Sequence, residues 1–212
     1  YEKLAPDHPI ELTRYQVEDF RLQNREDEQV ASRYRSLQEE SDTHARIWTT
    51  AVELLPLQYL AAVSEFVIFT DGIDGIASDT ERRRAGSAEL VFRFDPAEIG
   101  DLPFTLIHEY AHMLALSAQE DLVGLTADSC ALVEFEGKDR LRDSYLKEFV
   151  DEFWQDYGAE FDALDGTASG DTQLRLMERL GRRFSEHFLT DYALAGPEED
   201  FAESFAVFVL TE

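Results

Sequence analysis

The chain of 212 residues is long enough for one sizeable core and shows no repeat or linker, which predicts a single domain over residues 1–212. Its 45 acidic and 19 basic residues give a net charge of −26, a field that repels phosphate backbones and anionic lipid headgroups and excludes nucleic acid as an expected partner. One cysteine, Cys130, excludes an internal disulfide, and no run approaches the roughly 20 apolar residues that membrane insertion needs.

The N-terminal portion, residues 1–55, is predicted to be helical. Residues 11–40 are rich in charge, and their apolar positions follow the spacing of a helix with a narrow buried stripe. These positions are Val17, Phe20, Val30, Tyr34 and Leu37. A second helix over about 43–55 should end at Pro56, which cannot donate a backbone hydrogen bond. The stretch "LPLQYLAAV" that begins at this proline is predicted to be a short helix.

Two strands are predicted in the next part of the chain. The segment "EFVIFT", residues 65–70, joins β-branched and aromatic residues and precedes the turn sequence "DGIDG". After the polar stretch "ASDTERRRAGS", the segment "ELVFRF" alternates in a way that suits a sheet with one more exposed face. The fold class is therefore expected to be α+β, a mostly helical domain with a small sheet.

The segment "FTLIHEYAHML" is predicted to lie in a buried helix, because its other positions are apolar almost all round. Asp101 is its expected N-cap, Pro103 is tolerated in its first turn, and the helix should run to about Ala118. Residues 119–190 are predicted to form a helical insert. Within it, four-residue steps predict an aromatic core stripe, and a further helix should run from Thr172 to about Leu189. The stripe consists of Tyr145, Phe149, Phe153 and Tyr157.

The motif H-E-x-x-H in the buried helix points to a metal site. His108 and His112 are one helical turn apart, so both imidazoles project from one face and can reach one metal ion. Glu109 lies beside them and can polarise a bound water molecule. Buried polar groups are costly unless something satisfies them, and a metal does so at once. The alternative is a core helix whose histidines are hydrogen-bonded.

A catalytic zinc needs a third protein ligand in addition to an open position. The metzincin pattern fails, because Ala115 replaces its glycine and Ala118 its last histidine. A deformylase needs a cysteine ligand upstream of the motif, whereas Cys130 lies downstream. The nucleobase-deaminase pattern lacks its P-C-x-x-C half. The third ligand is therefore sought elsewhere in the chain.

The end of the chain contains the better candidates. Seven acidic residues and no lysine or arginine lie in the segment from Phe184 to Glu212, so carboxylates there have no local basic partner. Glu203 is flanked by apolar residues on the predicted closing helix, which begins at Pro197. Glu199 lies one turn earlier on the same face. The alternatives are stabilisation of the helix dipole by Glu199 and a backbone hydrogen bond for Glu203.

Together, "HEYAH" and "YALAGPEEDFAE" resemble the gluzincin metallopeptidases, specifically the anthrax lethal factor and Pro-Pro endopeptidase group. The resemblance covers about residues 88–118 and 190–210. It implies a zincin-like domain that holds Zn²⁺, and it implies that "ELVFRF", the strand before the H-E-x-x-H helix, is the edge strand along which a peptide substrate lies.

The resemblance also assigns roles to the late residues. It implies that Glu199 is the third zinc ligand beside His108 and His112, and that Glu203 supports the site from behind. Tyr192, seven residues before the ligand, is expected to face the reaction centre. A shift of one helical turn would instead make Glu203 the ligand. The remaining histidines, His8, His44 and His187, are expected to be packed or surface residues, and His187 is the single candidate among them for an approach to the site.

These roles predict a zinc-dependent metalloendopeptidase. Zinc lowers the pKa of its water, Glu109 accepts the proton, the hydroxide attacks a peptide carbonyl, and Tyr192 hydrogen-bonds the oxyanion. The alternatives are a catalytically silent zinc-binding or protein-interaction module of zincin fold and a structural acidic protein without metal. The expected partner is a peptide or protein substrate. The protein itself is expected to be a monomer. The relatives and the acidic composition indicate a secreted or extracytoplasmic protein, although the first residues lack a signal-peptide pattern.

Overall fold

A computed structural model of the chain describes residues 9–71, 78–82, 89–97, 100–116, 132–135, 138–141, 145–155, 178–179, 181–184 and 186–211. The fold class is α+β, as predicted, with a five-stranded mixed sheet. The chain divides into two compact units, Tyr1–Glu109 and Tyr110–Glu212. The boundary lies inside one continuous helix, so the single domain stays a prediction. No helix among the described residues is both long and apolar enough to cross a membrane.

The first unit is built on the five-stranded sheet. Its elements in chain order are β1 Ile10–Glu18, β2 Arg21–Asp27, a 3₁₀ turn Ser32–Tyr34, α1 Arg35–Glu39, α2 Ser41–Leu54, α3 Leu57–Leu60, β3 Val63–Thr70, β4 Ser78–Arg82 and β5 Leu90–Phe94. Helix α4, Leu102–Leu116, follows and continues into the second unit. The strand order is β2-β1-β3-β5-β4, in which only β3 and β5 are parallel neighbours.

The helix predicted for residues 11–40 is wrong, because most of this segment forms the hairpin of β1 and β2. Asp19 and Phe20 connect the strands, and both have positive φ angles, 48° and 58°. Two consecutive left-handed residues match a type I′ turn, whose twist suits a two-stranded ribbon. The usual Asn-Gly signal is absent here. Among the described residues, the N-terminal portion therefore contains helices only after the hairpin.

Helix α2 confirms the second helix, and it ends before Pro56 as predicted. The short helix predicted from "LPLQYLAAV" is confirmed as α3. The indole Nε1 of Trp48 donates to the backbone oxygen of Phe20 at 2.9 Å, which attaches α2 to the hairpin turn. The Trp48 ring also lies 5.5 Å from the ring of Phe66 on β3. One face of α2 is therefore buried against the sheet.

His44, which the sequence did not single out, is fully buried on α2. Its Nε2 lies 2.9 Å from the backbone oxygen of Leu37, and its Nδ1 lies 3.0 Å from the hydroxyl of Tyr15. A carbonyl oxygen can only accept, so Nε2 carries the proton and Nδ1 accepts from the tyrosine. Burial lowers the pKa of this imidazole. His44 is therefore a neutral, hydrogen-bonded core residue.

Strands β3 and β5 confirm the two predicted strands, but β5 is buried on both faces. The expected exposed face is absent, since every residue of β5 is buried except the half-buried Arg93. The charged residue of β5, Arg93, pairs with Asp79 of β4, with 3.2 Å between Nη1 and Oδ2. Its guanidinium carbon lies 4.9 Å from the centre of the Phe69 ring. The guanidinium is thus accommodated in the sheet by a carboxylate and an aromatic face.

The prediction that the strand before the H-E-x-x-H helix is the edge of the sheet is also wrong. Strand β4, "SDTER", pairs antiparallel with β5 and occupies the edge of the described sheet. It falls in the polar stretch for which no strand was predicted. Aspartate and glutamate are depleted in strands, so the pairing with a buried apolar neighbour makes this segment extended.

The second unit combines a small hairpin with helices. Its elements are β6 Leu132–Phe135, β7 Lys138–Leu141, α5 Tyr145–Phe153, a 3₁₀ turn Tyr192–Ala195 and α6 Pro197–Thr211. The hairpin of β6 and β7 is a strand pair that was not predicted within the mostly helical insert over residues 119–190. The closing helix is confirmed as α6. Cys130, His8, Tyr157 and most of the helix predicted from Thr172 lie outside the described residues.

Only part of the predicted aromatic stripe of α5 packs in the core. Tyr145 and Phe153 are exposed at the two ends of the helix, whereas Phe149 lies 5.5 Å from the ring of Phe201 on α6. Trp154, directly after α5, is instead the buried centre of an apolar cluster. The partly buried members of this cluster are Phe149, Val150, Phe184, Phe188 and Leu194.

Candidate metal centre

Helix α4 begins where the sequence predicts. The Asp101 side chain lies 3.4 Å from the backbone nitrogen of Phe104, and its backbone oxygen accepts from the nitrogen of Thr105 at 2.9 Å. The side-chain contact serves a donor that the first turn of a helix leaves open, and the backbone contact is the first hydrogen bond of the helix. The helix is described to Leu116, and the predicted last residues lie outside the described part.

The motif residues on α4 form a group that could hold a metal ion. His108, Glu109 and His112 each offer one ligand atom, and these atoms all lie within 4.8 Å of one another. His108 and Glu109 are buried, and His112 is half-buried. Imidazole nitrogen and carboxylate oxygen are donors that zinc accepts at tetrahedral sites. The donor set and its burial therefore fit zinc.

The carboxylate of Glu109, which is 1% exposed, is held by two hydroxyl groups of β4. Ser78 Oγ donates to Oε1 at 2.6 Å, and Thr80 Oγ1 donates to Oε2 at 2.8 Å. Alternate residues of a strand lie on one face, which lets both hydroxyls reach one carboxylate. Each oxygen keeps a second lone pair for another donor. Neither hydroxyl residue is predictable from the sequence, because β4 has no hydrophobic alternation.

Glu199, in the first turn of α6, approaches the motif within the second unit. Its Oε2 lies 3.4 Å from Nε2 of His112. Glu199 is not one of the three residues grouped within 4.8 Å. The contact with His112 is therefore the observation that connects the late carboxylate with the H-E-x-x-H helix. Both side chains are partly exposed, whereas the contacting oxygen of Glu199, Oε2, is itself buried.

For Glu203 and Tyr192, the structure gives the element and the burial of each side chain. Glu203 is buried on α6 at 6% exposure, as its apolar neighbours predict. Tyr192 lies in the 3₁₀ turn before α6 and is 51% exposed. Their roles toward the other candidate residues stay predictions. His187 is exposed, and its described backbone contact is with Phe184.

Asp200 is a buried carboxylate outside the predicted set of site residues. It is 3% exposed, and its Oδ2 accepts a hydrogen bond from Nε1 of Trp154 at 2.9 Å. Ser204 Oγ lies 3.3 Å from its Oδ1. Burial raises the pKa of Asp200, the two hydrogen bonds lower it, and the charge of Glu203 raises it further. The sequence does not distinguish Asp200 from its acidic neighbours, because acidic residues in the first turn of a helix usually stabilise the helix dipole.

Comparisons of the chain with protein-family models, with curated proteins and with solved structures found no match.

Proposed function

We propose that this protein is a zinc-dependent metalloendopeptidase of the gluzincin type. The observation that carries the proposal is the approach of Glu199 Oε2 to His112 Nε2 at 3.4 Å. H-E-x-x-H alone is a motif, whereas a carboxylate from another helix beside one of its histidines supports a three-ligand set. The proposed ligands are His108, His112 and Glu199. The resemblance of the two segments to gluzincins supports the same set.

Zinc in such a site supplies Lewis acidity and lowers the pKa of its water. The other steps belong to side chains of this chain. Glu109 takes a proton from the attacking water and returns it to the leaving amine. Ser78 and Thr80 hold the carboxylate of Glu109 in one orientation through their hydroxyl groups. A preoriented base needs no rearrangement at the moment of proton transfer.

Two further residues have proposed supporting roles. The hydroxyl of Tyr192 is proposed to hydrogen-bond the oxyanion that develops on the scissile carbonyl. Glu203 is proposed to orient a ligand imidazole through the nitrogen that does not face the metal. Exposure of Tyr192 is compatible with contact to an incoming substrate. Burial of Glu203 is compatible with a role behind the ligands.

The proposed substrate is a peptide that adds to the sheet along β4. This strand lies at the edge of the described sheet, and an edge strand presents backbone groups to which an extended peptide can pair. Ser78 and Thr80 of the same strand contact Glu109. A peptide paired with β4 would therefore be held on the strand that also orients the base.

A second candidate function is a zinc-binding module that binds peptides without turnover. The observation that favours it is that both oxygens of Glu109 already accept a hydroxyl hydrogen bond. In that case Glu109 is a structural residue, and metal binding persists without hydrolysis.

The two candidates are separated by zinc stoichiometry followed by digestion of a peptide library. The endopeptidase proposal predicts about one zinc per chain and cleavage at internal peptide bonds that stops with a chelator and returns with zinc. Zinc uptake without cleavage supports the binding module. A purified protein that takes up no zinc contradicts both candidates and favours a structural role for the H-E-x-x-H helix.

A further inference from the structure

We propose that Trp154 and Asp200 are positioning residues that hold α6 in the rotation at which Glu199 faces His112. The inference rests on the proposed function in one respect, namely that Glu199 is a metal ligand. It gives a role to α5 and the residue after it, which lie in the insert between the two metal-binding helices. All four residues belong to the second unit.

The hydrogen bond between Trp154 and Asp200 is formed in a buried environment. The two side chains are 2% and 3% exposed, and Nε1 lies 2.9 Å from Oδ2. A buried carboxylate is costly without donors, and an indole nitrogen has one N–H to give. The hydroxyl of Ser204 donates to the other oxygen, with 3.3 Å between Oγ and Oδ1. The Asp200 side chain is thus restricted to one direction.

Helix geometry transmits this restriction to Glu199. Consecutive residues of an α-helix project about 100° apart, so the direction of Asp200 determines that of its neighbour. A rotation of α6 that turned Glu199 away from His112 would also break the bond to Trp154. A second contact between the same two helices, Phe149 to Phe201 at 5.5 Å, opposes the same rotation.

The indole cannot easily follow a movement of α6, because its own position is fixed by packing. Trp154 is the buried residue at the centre of the apolar cluster described above, and its ring lies 5.9 Å from that of Phe188 in an edge-on arrangement. Leu194 of the 3₁₀ turn before α6 belongs to this cluster. The entry to α6 and its first turn are therefore both held by residues around Trp154.

The first test compares Trp154→Phe with Trp48→Phe. Both indoles are buried and both donate a hydrogen bond at 2.9 Å. The acceptor of Trp48 is the backbone oxygen of Phe20, which lies in the first unit. Zinc affinity is measured by competition with a chelating dye. Trp154→Phe is expected to bind zinc at least about tenfold more weakly, as for other residues that orient metal ligands. Trp48→Phe should retain the wild-type affinity, and equal losses in the two variants would overturn the proposal.

A second pair of variants isolates the hydrogen bond from the charge. Asp200→Asn and Asp200→Ala both remove the carboxylate charge, but only the asparagine oxygen can accept from the indole. Asp200→Asn is expected to bind zinc about fivefold more tightly than Asp200→Ala, the effect of one net hydrogen bond. In the Asp200→Ala background, Trp154→Phe should cost little more. Equal affinities for the two Asp200 variants contradict the inference.

Hydrogen exchange without metal keeps this inference separate from the proposed function. The amide of Asp200, which donates to the backbone oxygen of Gly196 at 2.9 Å, should exchange faster in Trp154→Phe than in the wild type or Trp48→Phe, because the first turn of α6 loses its anchor. If the wild-type protein takes up no zinc, the metallopeptidase proposal fails, and the exchange data still test the anchor. If it takes up zinc and neither exchange nor affinity responds to Trp154→Phe, the anchor is rejected and the metallopeptidase proposal stands.

Discussion

The imidazole of His112 and the carboxylate of Glu199 lie 3.4 Å apart, measured from Nε2 to Oε2. They belong to α4 and α6, two helices that are far apart in the chain. A carboxylate at this distance can pair with a protonated imidazole or, with a small rearrangement, share a cation with a neutral one. The contact makes Glu199 the first residue to test.

We predict that Glu199→Ala loses more zinc affinity than Glu203→Ala. Removal of a direct ligand should weaken binding by more than about 100-fold, whereas loss of a residue that orients a ligand should cost about 10- to 100-fold. The measurement is zinc affinity by dye competition, with metal content after dialysis as a check. A greater loss in Glu203→Ala would make Glu203 the ligand and overturn the assignment.

We predict that Glu109→Gln keeps zinc and loses peptidase activity. Glutamine is nearly isosteric and can still hydrogen-bond the hydroxyls of Ser78 and Thr80, but it cannot accept a proton at neutral pH. The catalytic rate should fall by about 10²- to 10⁴-fold, the contribution typical of a general base. Steady-state hydrolysis of a cleaved library peptide measures this. Unchanged hydrolysis would rule out Glu109 as the base.

We predict that the hydroxyls of β4 stabilise the first unit. In Ser78→Ala or Thr80→Val, one oxygen of the buried Glu109 carboxylate loses its donor, which should cost about 1–3 kcal/mol of unfolding free energy. Urea denaturation measures the change. The controls Ser78→Thr and Thr80→Ser keep a hydroxyl at each position and should lose much less. If the controls lose as much as the hydroxyl-free variants, packing rather than hydrogen bonding explains the effect.

We predict a loss of stability in mild acid that depends on His44. Burial lowers the pKa of its imidazole below the ordinary value of 6.5, and Arg25 lowers it further, while the Leu37 carbonyl, Glu40 and Asp27 act in the opposite direction. The unfolded chain therefore gains its proton at a higher pH than the folded chain. Stability should fall as the pH drops below about 6.5 toward the folded pKa and be fully present above 6.5.

The variant His44→Gln provides the control for this pH dependence. It lacks the titrating group, so its unfolding free energy should change less between pH 7 and pH 5 than that of the wild type. Asp95 and Asp200, whose pKa values are raised chiefly by burial, titrate in both proteins and cancel in the difference. Parallel pH profiles for the two proteins would show that His44 does not control acid stability.

Elements with strong local signals could be predicted from the sequence. The N-cap Asp101 and the apolar run after it predicted α4, and Pro197 at the first helical position predicted α6. The apolar, β-branched runs predicted β3 and β5. In each case the residues that favour the element lie within it, so no distant contact is needed to recognise it.

Elements that depend on a partner were missed. The hairpin of β1 and β2 turns at Asp19 and Phe20, which adopt positive φ without glycine or asparagine. Strand β4 is polar and is extended through its pairing with β5. The hairpin of β6 and β7 lay inside a segment with helical periodicity. Strand pairing joins residues that are not neighbours in the chain, and single-sequence periodicity does not report it.

The sequence by itself determined that His108 and His112 share one face of a buried helix, with Glu109 beside them, because helical spacing and apolar surroundings are local properties. Tertiary structure alone decided that Glu199 lies beside His112, that Ser78 and Thr80 hold Glu109, and that Trp154 holds Asp200. The reason is physical. Contacts between segments depend on which faces are buried together, and this is a property of the packed chain rather than of any short stretch of it.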